Sequence, residues 1–153
     1  MKKYLSLILF WMMSLHISNA SAQFYTEDLS PNVKAFIAKM YKPDTRKKLV
    51  IYTFDSAPDC PYGRIFYDAF NKQMNNANLK NNYVFQHSIN SFSYSSDDTS
   101  AEILAQGFNE LVNKCGFFCI IDMNDNWFYS IGNGVGTEEA QILPSLFEEL
   151  KYK

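Results

Sequence analysis

The chain has 153 residues, a formal net charge of −2 at pH 7 and 16% aromatic residues. This length suits one domain, and the aromatic content is enough for one apolar core without many disulfides. The short basic run at residues 46–48 is too small to form a phosphate-binding face, so the composition excludes a nucleic-acid-binding protein. The three cysteines and two histidines lack metal-ligand spacing, and we expect neither a metal nor a cofactor.

Residues 1–22 have the pattern of a signal peptide. Two lysines near the start precede an apolar segment over residues 5–13, and Ala20-Ser21-Ala22 forms a small-residue cleavage site. The apolar segment is too short to span a membrane, and no later segment is long enough. We therefore expect cleavage after Ala22, a periplasmic or secreted location, and one mature domain over residues 23–153. A buried N-terminal helix is the alternative.

The mature chain alternates helical and strand patterns. Ser30 followed by Pro31 is an N-cap with proline at the first helical position, which predicts a helix that ends near Tyr41. Apolar spacing and turn residues predict the rest. The remaining elements are a strand at 48–54, a helix at 61–75, a strand at 83–89, a helix opened by a capping box at 99–102, strands at 117–122 and 127–131, and a last helix from Thr137.

These elements predict an α/β fold with a four-stranded mixed sheet flanked by helices and one extra helix at the N-terminus. The first two crossover connections favour parallel pairing, and the tight turn at Asn124-Asp125-Asn126 adds an antiparallel strand. The last helix contains Pro144, which predicts a kink or the true start of that helix.

Cys60 directly follows the first predicted strand and opens the next helix. A helix N-terminus presents unpaired N–H groups and the positive end of the helix dipole, and both favour the thiolate that attacks disulfides. Arg64, one turn into the helix, has the same effect, whereas the carboxylates of Asp55 and Asp59 oppose a thiolate. The sequence therefore indicates a candidate nucleophile.

The tetrad Cys60-Pro61-Tyr62-Gly63 resembles the Cys-Pro-Tyr-Cys active site of glutaredoxins and of some exported thioredoxin-like proteins, with glycine in place of the second cysteine. The element order over residues 49–151, with a cysteine directly after the first strand, is also similar to that of a thioredoxin-like domain. The resemblance implies a thioredoxin-like fold that acts on protein thiols or disulfides.

The resemblance also implies roles for particular residues. Cys60 would be the nucleophile, with Pro61 and Tyr62 beside it in substrate binding. Aligning the apolar strand with the family pattern puts Gly116 at the position of the family's cis-proline, in the loop that binds substrate, and Cys115 just before it. Cys115 would then lie within disulfide reach of Cys60 and form the redox couple with it.

Cys119 lies in the apolar strand at 117–122, where a free cysteine behaves as a small buried hydrophobe. The competing possibility is a local Cys115–Cys119 bridge. In an extended strand the two residues are too far apart, so this bridge needs a tight turn at Gly116.

Three hypotheses about function follow. The first is an exported protein that exchanges thiols and disulfides through Cys60, and the second is a non-catalytic binding or assembly module on the same fold. The third is a glutathione-linked monothiol protein, because the turn at residues 132–137 resembles the glycine-rich segment that binds glutathione in glutaredoxins; a plain connector is the favoured interpretation of that turn. His87, in a predicted strand, is expected to be an ordinary side chain rather than part of a Cys–His dyad.

Overall fold

The computed structural model describes residues 24–54, 56, 59–93, 100–115, 117–131 and 137–152. The predicted signal peptide lies outside these residues. The elements are β1 (Phe24–Asp28), α1 (Pro31–Met40), β2 (Lys48–Tyr52), α2 (Pro61–Met74), a short 3-10 helix (Leu79–Asn81), β3 (Tyr83–His87), α3 (Ala101–Cys115), β4 (Phe118–Asp122), β5 (Trp127–Ile131) and α4 (Thr137–Leu150).

The strands form one mixed sheet in the order β1-β5-β4-β2-β3. β2 and β3 are parallel, and the other neighbours are antiparallel. The predicted α/β class and mixed sheet are confirmed, but the sheet has a fifth strand, β1, paired along its whole length with β5. The sequence of β1, Phe-Tyr-Thr-Glu-Asp, lacks the apolar run that marked the other strands, and its pairing with a distant strand supplies the hydrogen bonds.

The expected parallel pairing at the second crossover is wrong, because β4 runs antiparallel to β2. Tyr52, the last residue of β2, pairs with both His87 at the end of β3 and Phe118 at the start of β4. β3 therefore ends, and β4 begins, at the same end of the sheet. Because α3 ends at Cys115, three residues before β4 begins, α3 also finishes at this end of the sheet.

Each face of the sheet carries two helices and its own apolar core. Side chains alternate along the central strands: Val50, Phe118 and Ile120 face α2 and α4, whereas Leu49, Ile51, Cys119 and Ile121 face α1 and α3. Burial on both faces explains the near-continuous apolar sequences of β2 and β4. α4 begins at Thr137 and contains Pro144, so the proline does not mark its start.

A largely buried ion pair lies at the end of the sheet opposite Tyr52. Lys48 Nζ lies 3.1 Å from Asp122 Oδ2 and 5.7 Å from the centre of the Trp127 ring. Asp122 Oδ1 accepts the N–H groups of Asn124 and Asp125 at 2.9 and 3.0 Å, which closes the turn between β4 and β5. Burial alone would raise the pKa of Asp122, but these two N–H groups and the ammonium of Lys48 together hold it below its usual value.

Candidate functional site

Cys60 lies where the sequence placed it, as the N-cap of α2. Its backbone is extended, with φ −72° and ψ 129°, and Pro61 occupies the first helical position, where a missing N–H has no cost. Cysteine is not among the residues that cap helices well, and the Cys60 side chain makes no capping hydrogen bond. Its thiol is free and the residue is exposed, so its sulfur is available to a partner molecule.

An apolar cavity of about 190 Å³ opens beside this thiol. Its volume exceeds that of the engineered apolar cavity of about 150 Å³ that binds benzene, so a group the size of one aromatic ring fits. The lining combines four aromatic side chains with three small residues, and comprises Phe54, Ser56, Cys60, Gly63, Phe66, Tyr67 and Phe117.

The core of the protein supports the inner wall of the cavity. Phe54, just after β2, packs edge-on against Phe66 and Tyr67 of α2, with ring centres 6.1 and 5.7 Å apart. Phe66 in turn stacks on Phe118 of β4 at 5.9 Å. Because Phe66 and Phe118 are almost completely buried, this wall is part of the close-packed interior.

The structure pairs Cys115 with Cys119, and the expected Cys60–Cys115 couple is therefore wrong. Cys119 is buried in β4, as expected, but it is bridged and not a free thiol. The two Cα atoms are 5.1 Å apart, within the usual range for a disulfide. An extended chain before Cys119 would keep the two cysteines too far apart for a bridge. In the structure, α3 continues through Cys115 and Phe117 lies in a turn, which brings them together.

The bridged loop, residues 115–119, meets the candidate site through Phe117. The Phe117 carbonyl accepts hydrogen bonds from the N–H of Thr53 at 3.1 Å and from Thr53 Oγ1 at 3.2 Å. Its side chain, 37% exposed, lines the cavity that contains Cys60. The outer wall of the cavity therefore belongs to a loop that is closed by a disulfide.

The other predicted site residues that the structure describes do not line this cavity. Pro61 and Tyr62 are exposed on the first turn of α2, and neither lines the cavity. Gly116 and Asp55, like the glycine-rich turn at residues 132–136, lie outside the described residues. His87 packs edge-on against Tyr52 at 5.2 Å, and its Nδ1 lies 3.0 Å from the carbonyl oxygen of Ser88.

The sequence analysis missed the four aromatic residues of the cavity. Apolar spacing predicts only that Phe66 lies on the apolar face of its helix, and the strand patterns place Phe54 and Phe117 at strand ends. Their convergence depends on three segments that are far apart in sequence. The one local signal was the position of Phe54 and Phe117 at strand ends beside the predicted nucleophile.

No family model, no curated protein and no solved structure matches this chain. Within the described residues, no group of three or more His, Cys, Asp or Glu side chains could hold a metal ion. In the same part of the chain, no helix is both long and apolar enough to cross a bilayer.

Proposed function

We propose that this is an exported thioredoxin-like protein that exchanges disulfides with partner proteins through Cys60 alone. One observation carries the proposal: the single free thiol is exposed at the start of α2, beside an apolar cavity large enough for an aromatic ring. The mixed sheet with helices on both faces is compatible with a thioredoxin-like arrangement. Export is supported by the signal-peptide pattern of residues 1–22.

The exchange needs no external oxidant. The Cys60 sulfur attacks a partner disulfide, a new S–S bond forms to one partner sulfur, and the other partner sulfur leaves as a thiolate with the bonding electron pair. Position 63 is glycine and Cys115 is already bonded to Cys119, so no second thiol of this chain resolves the mixed disulfide. A partner thiolate must attack the mixed disulfide, which forms a partner disulfide and releases Cys60.

A second candidate function is a non-catalytic binding or assembly module. The observation that favours it is the lack of both possible resolving thiols, because position 63 of α2 is glycine and Cys115 is bridged to Cys119. In such a module the cavity binds an apolar group of a partner, and Cys60 takes no part.

Incubation of the folded protein with a symmetrical peptide disulfide separates the two functions. The peptide should carry an aromatic residue next to its cysteine, and intact mass should follow the reaction. We expect one peptide per chain, released by dithiothreitol, and none on a Cys60→Ser variant. If no adduct forms while iodoacetamide still labels Cys60, the exchange function is wrong and the binding module is favoured.

A further inference from the structure

We propose that the Cys115–Cys119 bridge positions the cavity beside Cys60. The bridge holds Phe117 in place as the outer wall of the cavity. Cys60 therefore prefers reaction partners that carry an aromatic group next to the atom it attacks. The inference rests on the proposed function only in taking Cys60 as the reacting residue. Phe117 is then a specificity-determining residue, and the two bridged cysteines are positioning residues.

The bridge lies away from the exchange chemistry. Cys115 is 4% exposed and Cys119 is 0% exposed, and both belong to the core between the sheet and helices α1 and α3. Cys60 begins α2, which packs on the opposite face of the sheet. A buried disulfide on the other face affects Cys60 through the position of the loop rather than by reacting with it.

Both ends of the bridged loop are fixed. Cys115 is the last residue of α3, and Cys119 lies in the middle of the sheet, where it pairs with Ile51 of β2 and Ser130 of β5. With the bridge closed, Phe117 lies in a short covalent ring between the end of α3 at Cys115 and the start of β4 at Phe118, so its backbone has little freedom. The bond between the Phe117 carbonyl and Thr53 adds a third anchor beside the cavity.

The Phe117 ring is less buried than the ring on the facing wall. Phe117 is 37% exposed, whereas Phe66 is 1% exposed. Because the Phe117 ring is only partly covered, its position depends more strongly on the backbone that carries it. Opening the bridge should therefore weaken the outer wall and leave the inner wall of Phe54 and Phe66 unchanged.

Two maleimides with the same electrophile measure the preference directly. The second-order rate constant of Cys60 with each maleimide is first divided by the rate constant of glutathione with the same maleimide. The normalised value for N-phenylmaleimide is then divided by that for N-methylmaleimide. We expect a normalised ratio above one for the native protein. It should fall roughly three- to tenfold in Cys115→Ala/Cys119→Ala, in which Cys60 is the only remaining thiol, because one aromatic contact is lost.

Two further variants separate positioning from a structural role. Phe117→Ala should lower the ratio to the same extent, and adding it to the bridge-free variant should cause no further fall, because both changes act through the same ring. Phe117→Tyr should retain the ratio. Tyr83→Phe serves as a destabilised control: it loses the 2.7 Å bond to the Phe147 carbonyl at the far end of the sheet and should leave the ratio unchanged.

An unchanged ratio in the bridge-free variant would overturn the proposal, as would an additive fall in the triple variant. If the bridge-free variant does not fold, the native protein can be reduced with dithiothreitol, freed of reductant without air, and labelled, with Cys60 quantified by peptide mapping. The same fall is expected, and its absence contradicts the proposal. The maleimide ratio does not depend on a peptide disulfide, so failure of the proposed exchange function would be seen separately.

Discussion

Replacement of Gly107 by alanine should destabilise the protein, although alanine is the better helix former. Gly107 lies in the middle of α3, where α1 crosses it closely. A Cβ at this position would overlap the carbonyl oxygen of Asn32 and lie 2.7 Å from the carbonyl carbon of Asn32 and 2.8 Å from Cβ of Phe36. These are backbone atoms and a side-chain root, so rotation of a side chain cannot relieve the overlap.

The two effects of this substitution have opposite signs. Helix propensity alone favours alanine over glycine by about 0.5–1 kcal/mol. To admit the Cβ, α1 must move away from α3 by on the order of 1 Å, and such overpacking costs about 1–3 kcal/mol or more. The shift also disturbs Phe36, whose ring contacts Phe92 and Phe108 at 5.4 and 5.5 Å. After the gain in helix propensity is subtracted, we expect a net loss of about 1–2 kcal/mol in the free energy of unfolding.

Urea denaturation followed by far-UV circular dichroism measures this loss. Asn109→Ala is the matched control, because Asn109 is exposed on the same helix and its replacement should add a few tenths of a kcal/mol. If Gly107→Ala were as stable as the native protein, or more stable, the close packing of α1 on α3 would be refuted.

Three further predictions concern the site and the ion pair. Cys60→Ser should raise the free energy of unfolding by a few tenths to about 1 kcal/mol in urea denaturation, because serine caps helices well, and should abolish thiol exchange. Gly63→Cys places a second thiol one helical turn from Cys60. We expect this variant to catalyse the reduction of insulin by dithiothreitol, with more than one insulin disulfide reduced per chain. If the variant reduces insulin no faster than the native protein, that result would count against Cys60 as a nucleophile. The pKa of Asp122 is lowered in the folded chain, so its stabilising effect is complete above about pH 4 and is lost as the pH falls through that lowered value. Asp122→Asn should therefore flatten the acid dependence of stability in urea titrations, and should cost about 1–3 kcal/mol at pH 7 because Lys48 loses its charged partner.

Local signals were enough to predict much of the fold. Pro31 occupies the first helical position of α1, as Ser30 before it indicates, and α2 begins at Pro61, directly after Cys60. The apolar run of β2 is typical of a strand buried on both faces, which the structure shows. The polar turn after β4 predicts the hairpin that β4 forms with β5. In each case, neighbouring residues in the sequence determine the structure.

The features that were not predicted depend on distant parts of the chain. β1 forms because β5 offers a free edge, and the direction of β4 depends on the route taken after β3. The Cys115–Cys119 bridge depends on how far α3 extends, and helix ends are poorly defined by periodicity. The cavity needs aromatic residues from three segments, so no single motif could reveal it.

The central claim is that disulfide exchange takes place through Cys60 alone. The bonding of each of the three cysteines after the reaction tests this claim most directly. After reaction with the peptide disulfide, the protein is blocked with iodoacetamide, digested with trypsin without reduction and analysed by mass. Trypsin places Cys60 in residues 49–64 and both other cysteines in residues 115–151. We predict a peptide adduct on the first fragment and an internal disulfide in the second. A disulfide that links the two fragments, or a first fragment that carries only the iodoacetamide label, would contradict exchange through Cys60 alone.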